Sequence, residues 1–396
     1  MNPKLVHVCT VPITLKLFMR GQIDYVKTSG FEIAAVAAPG SELQEVAARD
    51  GIEVYAIPFA RRPAPFRDAL SLLRLFLLFL RVNPTIVHSS TSKAGPLAMV
   101  AAFLARVPVR IYTLRGVMTD RRNGPMKAVL GALEWMACHC AHRVISVSPS
   151  VSQSVVSSGL CPPHKIKVLA RGSSNGVDAE NRFNPELVGE RRIVELRRNL
   201  NLDAATKVVG FIGRLVAGKG IADLASAWQR IRTERKDVVL LIVGHSEEQA
   251  PVLPRIMQEF KADPRVIMTD FVKNEELPAY YGLIDVIAFP TESEGFPNVP
   301  LEAASMEVPV VATSVTGCVD AIVDGVTGTL VTSGDAERLA QAVLLYLADS
   351  KLCSSHGRAA RERVLKDFRP EVIWRSLLEE YVQLLEGKGI RSSEVN

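Results

Sequence analysis

Two short segments of the chain place charged side chains where a parallel β-strand would end. The first is Gly210-Phe-Ile-Gly-Arg-Leu-Val-Ala-Gly-Lys-Gly220, in which an apolar strand runs into a glycine turn bearing Arg214 and Lys219. Gly213, Gly218 and Lys219 have the spacing of a mononucleotide P-loop, but position 220 is glycine, where that loop needs a Ser or Thr hydroxyl for magnesium. Without the hydroxyl the segment reads either as a solvated charged turn or as two cations able to grip a diphosphate without a metal.

The second segment is Phe289-Pro-Thr-Glu-Ser-Glu-Gly-Phe-Pro-Asn-Val-Pro-Leu-Glu-Ala303. Val286–Phe289 reads as a strand, and Pro300 as the first residue of the helix that follows. Glu294 then lies in the loop and Glu302 about one turn into the helix, both able to face one pocket. A helix N-terminus offers N–H groups and partial positive charge to a phosphate. A carboxylate such as Glu302 has two acceptor oxygens for the vicinal diol of a ribose. Two glutamates at this spacing also occur on solvated helix faces. The strand, the Gly-Phe-Pro-Asn turn and the proline at the helix start make the pattern more specific.

Gly213-Arg214 with Lys219-Gly220, followed by Glu294 and Glu302 within Glu-Gly-Phe-Pro-Asn-x-x-Leu-Glu-Ala, resembles the family-4 retaining glycosyltransferases of the GT-B fold. Val87–Gly95, Tyr112–Gly116, Val144–Ser150 and Gly172–Asp178 are similar to a subgroup from bacterial surface-polysaccharide gene clusters. The resemblance implies that Arg214 and Lys219 hold a donor diphosphate and Glu302 the ribose. It also implies that Glu294 contacts donor sugar hydroxyls, while Gly213 and the backbone of Gly295, Phe296, Pro297 and Asn298 line the donor site. Many relatives have Thr-x-His-Gly where this chain has Arg115, and Asp-Gly where it has Gly244-His245. Arg115 and Lys93, at strand ends of the basic first half, are candidates for acceptor or diphosphate contacts.

Positioning such residues requires strands that end at loops. Short β-branched runs alternate with helical patterns throughout. Leu5–Cys9, Glu32–Ala37, Thr85–Ser89, Val109–Thr113 and Arg143–Val147 are the expected strands of the first half. Val208–Ile212, Val238–Val243, Val266–Thr269, Val286–Phe289 and Val308–Ala312 are those of the second. Apolar strands separated by helices predict parallel sheets covered on both faces. The expected architecture is α/β with two doubly wound, Rossmann-like domains, at residues 1–180 and 190–368. A C-terminal helix over about 369–387 is expected to return to the first domain. In such sheets ligands sit at the carboxyl ends of the strands, so the default site is a cleft between the two domains.

Composition sets the outer limits. The 396 residues are 48% hydrophobic and 22% charged, which excludes wholesale disorder. Six scattered cysteines suit reduced thiols better than a disulfide framework. The N-terminus reads as a strand, not a secretion signal, and Leu70–Leu80 is too short to span a bilayer, so a cytoplasmic location is expected. Residues 1–180 carry 21 Lys/Arg against 11 Asp/Glu, a net +10, whereas the remainder is acidic. A basic first half predicts an anionic partner surface. Arg61, Arg62, Arg67, Arg74 and Arg81 flank the apolar run Leu70–Leu80, which reads as either a buried core helix or an element lying on anionic lipid.

Other chemistries fit less well. Cys138-His-Cys-Ala-His142 has no second cluster to complete a zinc site, no Asp-x-Asp occurs, and no metal or cofactor is expected. Aromatics do not interleave with basic residues as nucleic-acid stacking requires. No Gly-x-Gly-x-x-Gly follows a strand, which argues against a dinucleotide dehydrogenase. The resemblance implies a UDP-sugar donor, such as a UDP-N-acetylhexosamine. It implies a polyprenyl-diphosphate-linked glycan acceptor and peripheral attachment to the inner face of the cell membrane. The alternatives are an epimerase or hydrolase of the same fold and a non-catalytic sugar-nucleotide-binding protein.

Overall fold

A computed structural model describes residues 2–60, 64–117, 119, 124–245 and 254–390. The chain divides into two compact units, Met1–Asn175 with Pro370–Asn396, and Gly176–Arg369.

The first unit is built on a seven-stranded parallel sheet. Its strands are β1 (Lys4–Val8), β2 (Glu32–Ala37), β3 (Glu53–Ala56), β4 (Ile86–Ser89), β5 (Val109–Leu114), β6 (Arg143–Ser146) and β7 (Ile166–Val168), in the order β3-β2-β1-β4-β5-β6-β7. The apolar runs lie in the middle of this order because a strand covered on both faces needs both sets of side chains apolar. On one face, Leu75, Phe79, Met99 and Ala137 form a core beneath helices Pro65–Val82, Ala94–Leu104 and Pro125–Cys140. On the other, Leu15, Ile23, Val46 and Leu377 pack beneath helices Pro12–Phe18, Gln22–Thr28, Ser41–Asp50 and Pro370–Glu386.

The C-terminal helix Pro370–Glu386 is fixed to this unit by polar contacts as well as leucines. Its buried Glu380 accepts from Arg143 Nε and Lys167 Nζ, both at 2.6 Å. Trp374 Nε1 donates to Asn175 Oδ1 at 2.6 Å, and Tyr381 reaches His88 Nδ1 at 2.6 Å.

The second unit has six parallel strands, β8 (Lys207–Ile212), β9 (Val238–Val243), β10 (Val266–Thr269), β11 (Val286–Phe289), β12 (Val310–Thr313) and β13 (Thr329–Val331), in the order β10-β9-β8-β11-β12-β13. Trp228, Leu240, Phe260 and Val343 share its main core. The charged run after Gly189 forms helix Glu190–Asn199. That helix lies close to helix Leu277–Leu283, where a Cβ on Gly282 would come within 2.8 Å of Ile193 Cδ1. The two sheets are the paired Rossmann-like arrangement expected from the alternation of strands and helices, with β3, β7 and β13 in addition.

Candidate functional site

In the second unit the predicted residues gather at the carboxyl ends of the neighbouring strands β8 and β11. Strand β8 ends at Ile212, and the Gly213 amide donates to Val243 O at 2.9 Å, tying its exit to that of β9. Arg214 follows on the surface. The chain then makes the short turn Ala217–Lys219 and enters helix Ile221–Glu234 through Gly220. At φ +68°, with a Cβ that would fall 1.7 Å from Pro290 O, position 220 admits only glycine. The residue that disqualifies the segment as a P-loop is thus the one that lets β8's exit loop press against β11's.

That close approach brings Lys219 to Glu294. The Lys219 ammonium is ion-paired with Glu294 Oε1, both side chains mostly buried, and lies 5.7 Å from the centre of the Phe289 ring. The buried Thr291 hydroxyl, 3.0 Å from Glu294 Oε1 and 3.2 Å from Gly218 O, holds the carboxylate from the other side. The Thr313 hydroxyl donates in turn to Thr291 O, so β12 braces the same loop. Gly317, at φ +80°, lies against the backbone of Glu294 and Gly295, where a Cβ would come 2.5 Å from Gly295 O.

The helix after β11 starts earlier than the sequence suggests. It spans Asn298–Ser305, with Pro297 at the capping position and Pro300 third rather than first. Any of the first three helical positions tolerates proline, because their N–H groups have no partner inside the helix. One consequence is chemical. Pro297 and Pro300 carry no N–H, so Asn298 and Val299 supply the amides at this helix start. Phe296 is buried, its ring centre 5.3 Å from that of Phe368.

Glu302 has a different partner from Glu294. Its Oε2 accepts a 2.8 Å hydrogen bond from Tyr281, a fully buried residue of helix Leu277–Leu283. Burial raises the Glu302 carboxyl above its usual value, and the Tyr281 bond and the charge of Arg182 oppose that rise. Burial beside Glu302 pushes the Tyr281 phenol well up, so it stays protonated and donates. Arg182 is itself set by Asn274 O, at 2.5 Å, and by the Phe183 ring. His245, after β9, offers its carbonyl to the Leu215 amide, with its ring 6.4 Å from that of Phe271.

In the first unit, Lys93 and Arg115 follow the adjacent strands β4 and β5. Lys93 is ion-paired with Asp68 at 2.5 Å, and Arg115 Nε donates to Ser90 O at 2.8 Å. Thr10 and Thr91, with hydroxyls 2.8 Å apart, join the exits of β1 and β4. Beneath Arg115 lie two buried histidines. The His88 ring nitrogens meet Tyr381 and Thr113, whereas neither His7 nitrogen has a hydrogen-bond partner among the described residues. Burial, with the charge of Arg115, holds His7 down to about 3.

Tyr281, Arg182, Thr291, Asp68 and the histidine pair had not been singled out from the sequence. All but Thr291 lie far from their partners along the chain, with no local spacing to mark them, and Thr291 stands three residues before Glu294 with nothing in its residue type to set it apart. Within Cys138–His142, Cys138 is buried, His139 stacks on Trp135 and His142 Nδ1 accepts from the Arg110 amide. Among the described residues no three His, Cys, Asp or Glu are placed to hold a metal ion.

Comparison with known proteins adds to this geometry. A family pattern described as "Glycosyl transferases group 1" matches residues 206–349, and one described as "Glycosyltransferase Family 4" matches residues 23–181. The chain is 34% identical over 390 residues to the capsular polysaccharide biosynthesis glycosyltransferase CapM of Staphylococcus aureus, covering 98% of this chain and 100% of that protein. It is 24% identical to the Escherichia coli UDP-Gal:alpha-D-GlcNAc-diphosphoundecaprenol alpha-1,3-galactosyltransferase, covering 92% and 93%. Among solved structures, Anabaena Alr3699/HepE in complex with UDP superposes with a TM-score of 0.79 at 20% identity, covering 97% of this chain and 100% of that one. A Rickettsia africae glycosyltransferase gives 0.80 at 20% identity, covering 97% and 99%.

Proposed function

This chain belongs to glycosyltransferase family 4, and from that premise we propose that it transfers a sugar from a UDP-sugar donor to a lipid-diphosphate-linked glycan, with retention at the anomeric carbon and without a metal. The enzyme is a glycosyltransferase of capsular or surface polysaccharide synthesis. The finer reading draws on one observation above the others. The exit loops of β8 and β11 bring Lys219 and Glu294 into contact beside the helix start at Asn298 and Val299.

In this reading Arg214 and Lys219 bind the donor diphosphate, Glu302 the ribose, and Glu294 with the backbone from Gly295 to Asn298 the sugar. As the bond between the anomeric carbon and the β-phosphate oxygen breaks, negative charge grows on that phosphate. Fixed cations and the two helix amides stabilise it without reorganising. The acceptor hydroxyl attacks from the face the diphosphate leaves, and its proton passes to the departing phosphate oxygen. Bonds and charges then balance with UDP as the leaving group.

The E. coli relative's name specifies a UDP-sugar donor and a diphosphoundecaprenol-linked acceptor, and HepE was solved with UDP. Both favour the same chemistry here, with an N-acetylhexosamine as the first donor sugar to try. A membrane-borne acceptor makes the enzyme a peripheral protein at the inner face of the membrane. The test is UDP release over a panel of nucleotide sugars, with and without membrane extract as acceptor. Acceptor-dependent release from one UDP-sugar, unchanged by chelator, is the expected result. Release that ignores the acceptor, or that stops with chelator, overturns it.

A further inference from the structure

Both hydrogen bonds of the Glu294 carboxylate fall on one oxygen. Lys219 Nζ and the Thr291 hydroxyl meet Oε1, while Oε2 has no hydrogen-bond partner among the described residues. A carboxylate free to turn would exchange its two oxygens. Two donors on Oε1, one from the exit of β8 and one from the exit of β11, hold it in one rotation and leave Oε2 as the oxygen able to accept a further donor.

The surroundings of Thr291 give its hydroxyl this task. The residue is 1% exposed, two positions past the end of β11, and its carbonyl accepts from the Thr313 hydroxyl at the end of β12. Its hydroxyl also lies 3.2 Å from Gly218 O, in the turn that carries Lys219, and 3.5 Å from Ser293 O. A hydroxyl has one proton, and a carboxylate is a stronger acceptor than a peptide oxygen, so the bond to Glu294 leads and the others are weaker arms. Gly218 O has its own donor in the Glu292 amide, at 3.2 Å. The backbone of the two loops is therefore satisfied without this hydroxyl, and the carboxylate is its distinctive partner.

We propose that Thr291 is a positioning residue of the transfer reaction: its hydroxyl fixes the rotation of the Glu294 carboxylate so that Oε2 is presented to a hydroxyl of the donor sugar. This deepens the role proposed for Glu294 and rests on it. A sugar held by an acceptor that cannot swing stays aligned while its bond to the diphosphate breaks, and a misplacement of about 1 Å at such a contact costs on the order of a hundredfold in rate. A threonine kept only to fill the loop or to tie it to β12 would act through its methyl group and its backbone, both of which valine supplies.

Thr291→Val in the full chain is expected to lower kcat about tenfold to a hundredfold, read as acceptor-dependent UDP release from the UDP-sugar that the enzyme turns over. UDP has no sugar to meet Glu294, so its affinity by calorimetry should stay within about twofold of the wild type. Thr291→Ser keeps the hydroxyl and should return kcat close to the wild-type value. Thr291→Ala should match Thr291→Val in kcat while melting at a lower temperature, which separates the hydroxyl from the packing of the methyl group. In a Glu294→Ala background Thr291→Val should lower kcat no further, because the group it orients is gone. The proposal is overturned if Thr291→Val keeps wild-type kcat, if serine fails to restore it, if UDP affinity falls by the same factor as kcat, or if valine costs as much in the Glu294→Ala background. Loss of turnover in Glu294→Ala with none in Thr291→Val would sink the positioning alone. Glu294→Ala turning over like the wild type would remove the sugar contact, and the positioning with it.

Discussion

The ammonium of Lys219 and the carboxylate of Glu294 are separated by 75 residues of chain and joined directly in space. The contact exists because Gly220 lets the exit of β8 press on Pro290 at the exit of β11. In the proposed function a cation held this way meets the donor phosphate without reorganising, which is the condition under which a fixed charge lowers a barrier most. Lys219→Ala is therefore expected to lower kcat by about 10²–10³. The fold should survive, because the loop is also held by Thr291 and Thr313. Steady-state UDP release and a melting curve on the same sample check both halves. Near-wild-type kcat/KM in that variant would remove the diphosphate-grip mechanism.

The role of Glu302 is testable by pH. Burial raises the Glu302 carboxyl and the Tyr281 hydroxyl pulls it back, so Tyr281→Phe should raise it further. A raised carboxyl contributes stability below its unfolded value and loses that contribution as pH climbs through its folded value. In the ligand reading, only the ionised form accepts two ribose hydroxyls. UDP affinity measured by calorimetry should accordingly begin to fall at a higher pH in Tyr281→Phe than in the wild type as acid is added. Overlapping pH profiles would mean that Glu302 does not hold the nucleotide.

The sequence yields the central strands and misses three of the four edge strands, for a physical reason. β3, β7 and β13 are the three unrecognised strands, and each lies at an outer margin of its sheet. Ile166–Val168, partly exposed along its length, is interrupted by Lys167 and leaves no signal, whereas the likewise partly exposed edge strand β10 keeps the apolar run Val266-Ile-Met and is recognised. The site shows the same division. Arg214, Lys219, Glu294 and Glu302 stand in a local pattern of glycines and prolines that can be read directly. Tyr281 becomes visible only when the fold brings it to Glu302, whereas Thr291 stands in the same loop as Glu294 and is marked only by its hydrogen bond. Pro300 was misplaced by two residues because proline suits every position of a first helical turn, not only the first.

Glu380 offers a test of how the C-terminal helix is held. Its carboxylate is fully buried between Arg143, whose side chain is 21% exposed, and Lys167, 46% exposed. Removing the shared anion strands a mostly buried guanidinium, whereas removing the lysine leaves the Arg143 pair intact. Glu380→Ala is expected to cost about 3 kcal/mol of unfolding free energy. Lys167→Ala should cost less than about 1 kcal/mol because water screens that half of the bridge. Urea titrations of the two variants decide it, and equal losses would show that the Lys167 half carries the whole effect of the bridge.

His7 is expected to make the first unit sensitive to acid. It is buried against His88 and Arg115, with both ring nitrogens unpartnered among the described residues and its protonation held down to about 3. An unfolded histidine takes its proton near pH 6.5, so the unfolded state binds more protons than the folded one below that pH. The stability that neutral His7 supplies is whole above pH ~6.5 and drains as pH falls toward about 3, at up to ~1.4 kcal/mol per pH unit. His88 is shifted in the same direction and adds to the slope. His7→Leu keeps a similar volume, removes one of the two proton acceptors and deletes a ring N–H that has no acceptor. Its urea midpoint should therefore exceed the wild type's at about pH 5, with the gap narrowing toward neutrality. A variant that loses the same stability at both pH values would mean that His7 makes a bond beyond those of the described residues.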